Sequence, residues 1–130
     1  TQKIWDSSLA AIGMLWAKAQ CRDLLKHYTD ITYERFWRRE LDIEDPAVIR
    51  AQLKEAGCEL GGFDDYLEGE GRRYHDELQD EILDAGCYGV PTYVIDKENY
   101  FGRQHLPRVR WHLGGCEGPL PDIAYDTILT

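Results

Sequence analysis

At 130 residues, with 43% hydrophobic and 30% charged side chains, the chain has room for one domain built around one moderate core. Its 24 acidic against 15 basic residues give a formal charge of −9, which argues against nucleic acid as a partner because phosphate binding needs a basic surface. No apolar run approaches the roughly 18 to 20 residues of a membrane span and nothing resembles a signal peptide, so a cytoplasmic protein with no membrane partner is expected.

Asp6-Ser7-Ser8 offers cap residues, and Leu9, Ile12, Trp16 and Ala19 then recur at helical spacing. Leu24, Leu25 and Tyr28 extend that apolar side, which predicts one helix over residues 7–28. Gly13 and Ala17 are small positions on it, suited to the close approach of a neighbour. Thr29 or Asp30 is expected to cap a second helix carrying Ile31, Phe36, Trp37 and Leu41. Its Arg35, Arg38 and Arg39 face outward, where Glu34 and Glu40 can pair with them at helical offsets. Asp45-Pro46, a cap followed by proline at the first helical position, starts a third helix whose buried side is Val48, Ile49 and Leu53. Ala56-Gly57 ends it.

From Gly61-Gly62 a longer helical pattern runs through Phe63, Tyr66, Leu67, Tyr74, Leu78, Ile82 and Leu83. Each glycine inside a helix costs ~1 kcal/mol against alanine, so Gly69 and Gly71 predict a kink or a break. Ala85-Gly86 closes this element. The stretch Gly89-Val90-Pro91-Thr92-Tyr93-Val94-Ile95 then runs through a proline into a strand over 92–95. A proline is tolerated at a strand entrance, and it is the residue type that accepts a cis peptide bond. The run is continuously apolar, as in a strand buried on both faces. A polar turn at Asp96-Lys97-Glu98-Asn99 leads to a partner strand at 99–101, and Gly102 turns the chain into a helix over 104–113 with Pro107 in its first turn. A two-stranded hairpin is marginal alone, so the edge of the first strand is expected to be covered by a second copy, a swapped element, the tail or further chain.

Candidate chemistry is sparse. His27, His75, His105 and His112 are scattered, no serine lies in a G-x-S-x-G turn, and no phosphate-cradling glycine loop is present. Cys21, Cys58, Cys87 and Cys116 contain no C-x-x-C pair and read as free, mostly buried thiols. A zinc set of His105, His112, Cys87 and Cys116 matches no ligand spacing, so no metal is expected. A redox role for Cys87, two residues before the turn, is set against its reading as a helix-end thiol.

The turn itself carries a resemblance. Gly89 to Ile95, followed by Tyr100-Phe101-Gly102-Arg103-Gln104-His105-Leu106-Pro107, resembles the C-terminal signature of the DsbA-like branch of the thioredoxin superfamily. Within it the chain is most similar to the 2-hydroxychromene-2-carboxylate isomerases and the kappa-class glutathione transferases. Leu41-Asp42-Ile43, the Ala56-Gly57 and Phe63 region, Tyr66-Leu67-Glu68-Gly69-Glu70-Gly71 and the tail from Gly118 to Tyr125 share in the likeness. The resemblance implies an α+β, mostly helical fold: a helical insert over 1–86, then the C-terminal ββα half of a thioredoxin-like domain over 87–114, and a tail over 115–130. It also implies that the N-terminal βαβ unit with the catalytic Ser or Cys would precede Thr1, so no catalytic residue is assigned in this chain. The implied cofactor is glutathione, its backbone pairing like an added strand with Val90 beside Pro91, and its glutamyl end held at Arg103 and Gln104. Gln104 stands where many relatives carry an acidic residue. A small aromatic or carbonyl substrate is implied for a completed site, and a homodimer is expected. The other reading, from a different class, is a non-catalytic binding or assembly module that self-associates through its open sheet edge.

Overall fold

A computed structural model of the chain describes residues 3–121. Five helices come first, α1 (Ser8–Gln20), α2 (Arg22–Trp37), α3 (Pro46–Ala56), α4 (Phe63–Glu68) and α5 (Glu70–Asp84). The strands β1 (Thr92–Ile95) and β2 (Glu98–Phe101), a 3-10 turn (Arg103–His105) and α6 (Leu106–Leu113) follow. The architecture is mostly helical with one small antiparallel sheet. The chain divides within α5 into two compact units, Thr1–Leu78 and Gln79–Thr130.

In the first unit the expected 7–28 helix is two helices. Cys21 is extended (φ −166°, ψ 161°); its N–H donates to Ala17 O at 3.1 Å, and its Sγ accepts from Leu24 N at 3.5 Å. One residue therefore closes α1 and caps α2, a task normally given to Ser, Thr, Asp or Asn. Thr29 and Asp30, read as a cap, lie inside α2. Helix α3 follows its sequence signals: the Asp45 side chain accepts from Ala47 N at 2.8 Å, and Gly57 closes the helix in the left-handed region at φ 93°. Gly69 separates α4 from α5 as expected, whereas Gly71 is buried inside α5 because the Tyr66 ring occupies the space a Cβ would need.

The core of this unit joins Ile12, Ala17, Tyr28, Ile49, Leu53 and Phe63, all fully buried, with Ile43, Ala56, Cys58 and Leu67 close behind. Trp16 packs tilted on Phe63 and Tyr66 at 5.7 and 5.0 Å, while Ala19 and Trp37 of the predicted apolar sides are exposed. Tyr28 donates to Ala10 O at 3.1 Å, and burial pushes its phenol far above the ordinary range. The arginine cluster is only in part a local surface network. Arg38 pairs with Glu34 at 2.5 Å, but Arg35 reaches across to α3, donating to both oxygens of Glu55 at 2.6 and 2.7 Å and to Gln52 at 2.9 Å.

In the second unit β1 and β2 pair with Tyr93 opposite Tyr100 and Val94 opposite Asn99. Side chains alternate across a sheet, so Tyr93, Ile95 and Tyr100 share one face and Val94 and Phe101 the other. Helix α6 lies on the Tyr100 face, where Tyr100 and Val109 are buried. The opposite face is open: Val94 is 58% exposed and Phe101 59%. The expectation of a strand buried on both faces is therefore corrected, because among the described residues only one layer packs on the hairpin. The turn is also tighter than expected. Asp96 (φ 49°) and Lys97 (φ 71°) alone form it, the two consecutive left-handed residues of a primed two-residue loop, and Glu98 and Asn99 belong to β2.

Gly13 provides the test of the helical core. A Cβ there would lie 2.4 Å from the Tyr28 hydroxyl oxygen and 3.1 Å from an Ile49 methyl carbon. Gly13→Ala is expected to cost about 1–3 kcal/mol of overpacking, exceeding its gain in helix propensity. The check is a lowered denaturant midpoint at unchanged slope; a midpoint equal to or above that of the parent would show that Tyr28 yields freely.

Candidate functional site

The second unit gathers its polar and reactive groups around the two ends of the hairpin. At the entrance, Gly86 (φ 77°) turns the chain out of α5, and Asn99 of β2 donates to Ala85 O at 2.7 Å. The Val90-Pro91 peptide bond is cis, as the proline at the strand entrance allows. Thr92 Oγ1 donates to Gly89 O at 2.5 Å, and the Phe101 ring presses on Gly89 so closely that a Cβ there would stand 2.7 Å from a ring carbon.

Val90 projects from this turn with 91% of its surface exposed, and Tyr88 beside it with 85%. Among the described residues the Val90 N–H and C=O enter no hydrogen bond. The adjacent Pro91 carbonyl is used instead inside the protein, accepting from Gly102 N at 2.8 Å. That bond draws the far end of β2 alongside the turn. Arg103 and Gln104 follow directly in the 3-10 turn, so all four residues singled out from the sequence come to one end of the hairpin. Arg103 is exposed and makes no ion pair among the described residues. Gln104 is folded back, its Nε2 donating to Phe101 O at 3.1 Å over the space left by the missing Cβ of Gly102.

Sequence reasoning missed a second cluster on the other face of the hairpin. Tyr100, 7% exposed, donates its hydroxyl to Glu98 and faces His112 Nε2 at 3.3 Å. The rings of His105 and His112 flank it at 5.7 and 5.9 Å, and the Arg108 guanidinium sits 5.7 Å from its centroid. The bond to Glu98, and then burial, hold the Tyr100 phenol above its ordinary range, with Arg108 opposing. On the far side of His112, Nδ1 lies 3.7 Å from Cys116 Sγ. The only advance signal was the helical offset of four between His112 and Cys116. Among the described residues no three His, Cys, Asp or Glu side chains converge as metal ligands. Of the thiols expected to be mostly buried, Cys58 is buried and Cys87 half-buried, but Cys21 and Cys116 are exposed.

A family model described as the DSBA-like thioredoxin domain matches residues 1–114. The chain belongs to this DSBA-like thioredoxin domain family. Searches of the curated proteins and of the solved structures gave no match. Membership places the chain, at the level of the family, with proteins of oxidoreductase or isomerase type. In this DSBA-like domain the hairpin, the cis-proline turn and α6 are present and well formed. Among the described residues no helix is long and apolar enough to cross a membrane. The helical unit adds an apolar cleft of about 210 Å³ between α1 and α2, lined by Met14, Thr32, Phe36, Trp37 and Ile43, which offers no carboxylate, imidazole or thiol.

Gly102 holds the two halves of the turn region together. Its φ of 103° with ψ 159° is a backbone region open essentially to glycine, and its N–H is the donor to Pro91. Gly102→Ala is expected to lose about 1–3 kcal/mol and to loosen the 3-10 turn. Amide hydrogen exchange at Gly102 and His105 should accelerate well before α6 does; unchanged protection there would show that the turn does not depend on this residue.

Proposed function

We propose that this DSBA-like domain binds glutathione at the Val90-Pro91 turn, as part of a glutathione-dependent isomerase or oxidoreductase of the 2-hydroxychromene-2-carboxylate isomerase and kappa-class transferase type. The observation that carries the reading is Val90, a residue 91% exposed whose N–H and C=O are unpaired among the described residues, with Arg103 following the Gly102 that bonds to Pro91 O. The central peptide unit of glutathione would pair with the Val90 N–H and C=O as an added strand. Arg103 would receive a carboxylate, and the exposed side chains of Tyr88 and Val90 would border a small aromatic or carbonyl substrate. Gln104, neutral and already bonded to Phe101 O, contributes polarity rather than charge at the glutamyl end. No catalytic residue is assigned among those present.

Two backbone hydrogen bonds of ~1 kcal/mol each and one charge-assisted contact of ~1.5–3 kcal/mol give a dissociation constant on the order of millimolar, near −4 kcal/mol. Titration with reduced glutathione, followed by backbone amide shifts, is expected to move Val90, Thr92, Arg103 and Gln104 saturably, and Val90→Pro should abolish the effect by removing the donor. A folded chain with no shift at these amides at several times that concentration would reject the site.

One observation favours a second reading, an assembly module. The outer edge of β1 has no strand partner among the described residues, and Val94 on its open face is 58% exposed. An unpaired edge beside apolar surface is a template for a second copy of the same chain. Light scattering should then give twice the mass of one chain, with Val94→Lys returning it to that of the monomer. A monomer at concentrations of about 0.1 mM or above, far beyond a micromolar constant, would exclude the assembly.

A further inference from the structure

The cluster behind β2 has a defined hydrogen-bond direction. The Glu98 carboxylate only accepts, so Tyr100 O–H must donate to it. The Tyr100 oxygen is then an acceptor, and the His112 tautomer that pairs with it at 3.3 Å is the one with its proton on Nε2. A neutral imidazole protonated at Nε2 has its lone pair on Nδ1, the atom 3.7 Å from Cys116 Sγ. The thiol is thus the donor at the end of a chain that runs from Cys116 through His112 and Tyr100 to Glu98.

The position of Cys116 is built rather than incidental. Helix α6 ends in a Schellman cap: Gly115 (φ 86°) donates to His112 O at 3.1 Å, and Cys116 N donates to Trp111 O at 2.9 Å. The same turn is fastened by Trp111 Nε1 to Gly118 O at 3.3 Å. These bonds hold an exposed thiol over an imidazole whose far side is anchored in the half of the hairpin that α6 buries. A base beside a thiol, itself oriented by a third group, is the arrangement that activates a cysteine nucleophile.

We propose that Cys116 is a reactive thiol, activated by His112, that exchanges with low-molecular-weight disulfides. The S–H proton passes to His112 Nδ1, and the thiolate attacks one sulfur of a disulfide R–S–S–R. The Cys116 S–S–R bond forms as the old S–S bond breaks. The leaving R–S⁻ takes the proton back from the imidazolium; Cys116 is oxidised to a mixed disulfide and one R–S unit is reduced to R–SH. Tyr100 and Glu98 act as positioning residues: the carboxylate, through the phenol, favours the imidazolium formed midway. Among the described residues the titratable groups facing His112 are Cys116 and Tyr100, with Glu98, His105 and Arg108 each reaching it through Tyr100. This inference is independent of glutathione binding at Val90.

The test uses the full chain and an aromatic disulfide that is not a glutathione derivative, with each modified thiol located by peptide mass mapping. N-acetylcysteine, which has no imidazole neighbour, is the reference. Between about pH 8.5 and about pH 6.5, the span between ordinary thiol and imidazole titration, Cys116 is expected to keep a fraction of its rate at least about tenfold larger than that of the reference. This comparison requires no variant. His112→Asn should return Cys116 to the pH profile of the reference. Tyr100→Phe should lower the rate a few-fold while circular dichroism stays unchanged, which a purely structural role would not produce. A parent Cys116 whose rate falls with pH in parallel with N-acetylcysteine, or an unaltered profile in a folded His112→Asn protein, would overturn the proposal.

Discussion

A phenol buried in the middle of a two-stranded hairpin must keep its hydroxyl paired, and that requirement at Tyr100 organises the second unit. A hairpin alone is marginal in water, so its stability has to come from a helix laid on one face. Tyr100 supplies the apolar ring that α6 covers and at the same time carries a hydroxyl that bonds to Glu98 and faces His112. Leaving that oxygen unpaired would cost the full desolvation of a polar group. Glu98, two residues earlier on the same strand face, and His112, the last residue but one of α6, answer the demand from the two elements the ring joins. The hydrogen bonds and the buried Tyr100 and Val109 side chains thus lie on the same face, the one that α6 covers.

That choice accounts for the contrast between the two sides of the hairpin. The face under α6 holds the polar chain and the thiol, in geometry fixed by burial and by the helix cap. The other face and the turn at Val90 hold accessible apolar surface and backbone that is unpaired among the described residues, features suited to binding by strand addition. The Gly102-to-Pro91 bond lies at the junction of the two. It fixes where β2 ends, and hence where the 3-10 turn and α6 begin.

The sequence was legible wherever a local signal had no competitor. Asp45-Pro46 and Gly57 bound α3 because cap, proline and left-handed glycine agree; Gly69 breaks the long pattern at a point where a Cβ would stand 2.9 Å from Asp65 O. The proline turn and the pairing of the two strands were equally readable, and the family match agrees with the resemblance at the level of the DSBA-like domain. The break at Cys21 was not readable, since the apolar stripe continues through it and a sulfur does the work of a cap oxygen. Nor was the exposure of Val94, because an all-apolar strand looks the same whether one layer or two will pack on it.

The Cys116 cluster shows a different kind of opacity. His112 and Cys116 stand four residues apart, an offset that places two side chains together only if the helix, or a cap continuing its path, extends that far. Helix α6 stops at Leu113, and two glycines follow, which in a sequence reads as the end of order. It is the Schellman cap that carries the helical proximity three residues beyond Leu113, to Cys116. Spacing alone cannot reveal this, because the same glycines that end the helix are the ones that fold the chain back over it. Reactive pairs just past a helix C-terminus are therefore a place where motif searching by residue type fails. The cap geometry has to be read first, and the chemistry afterwards.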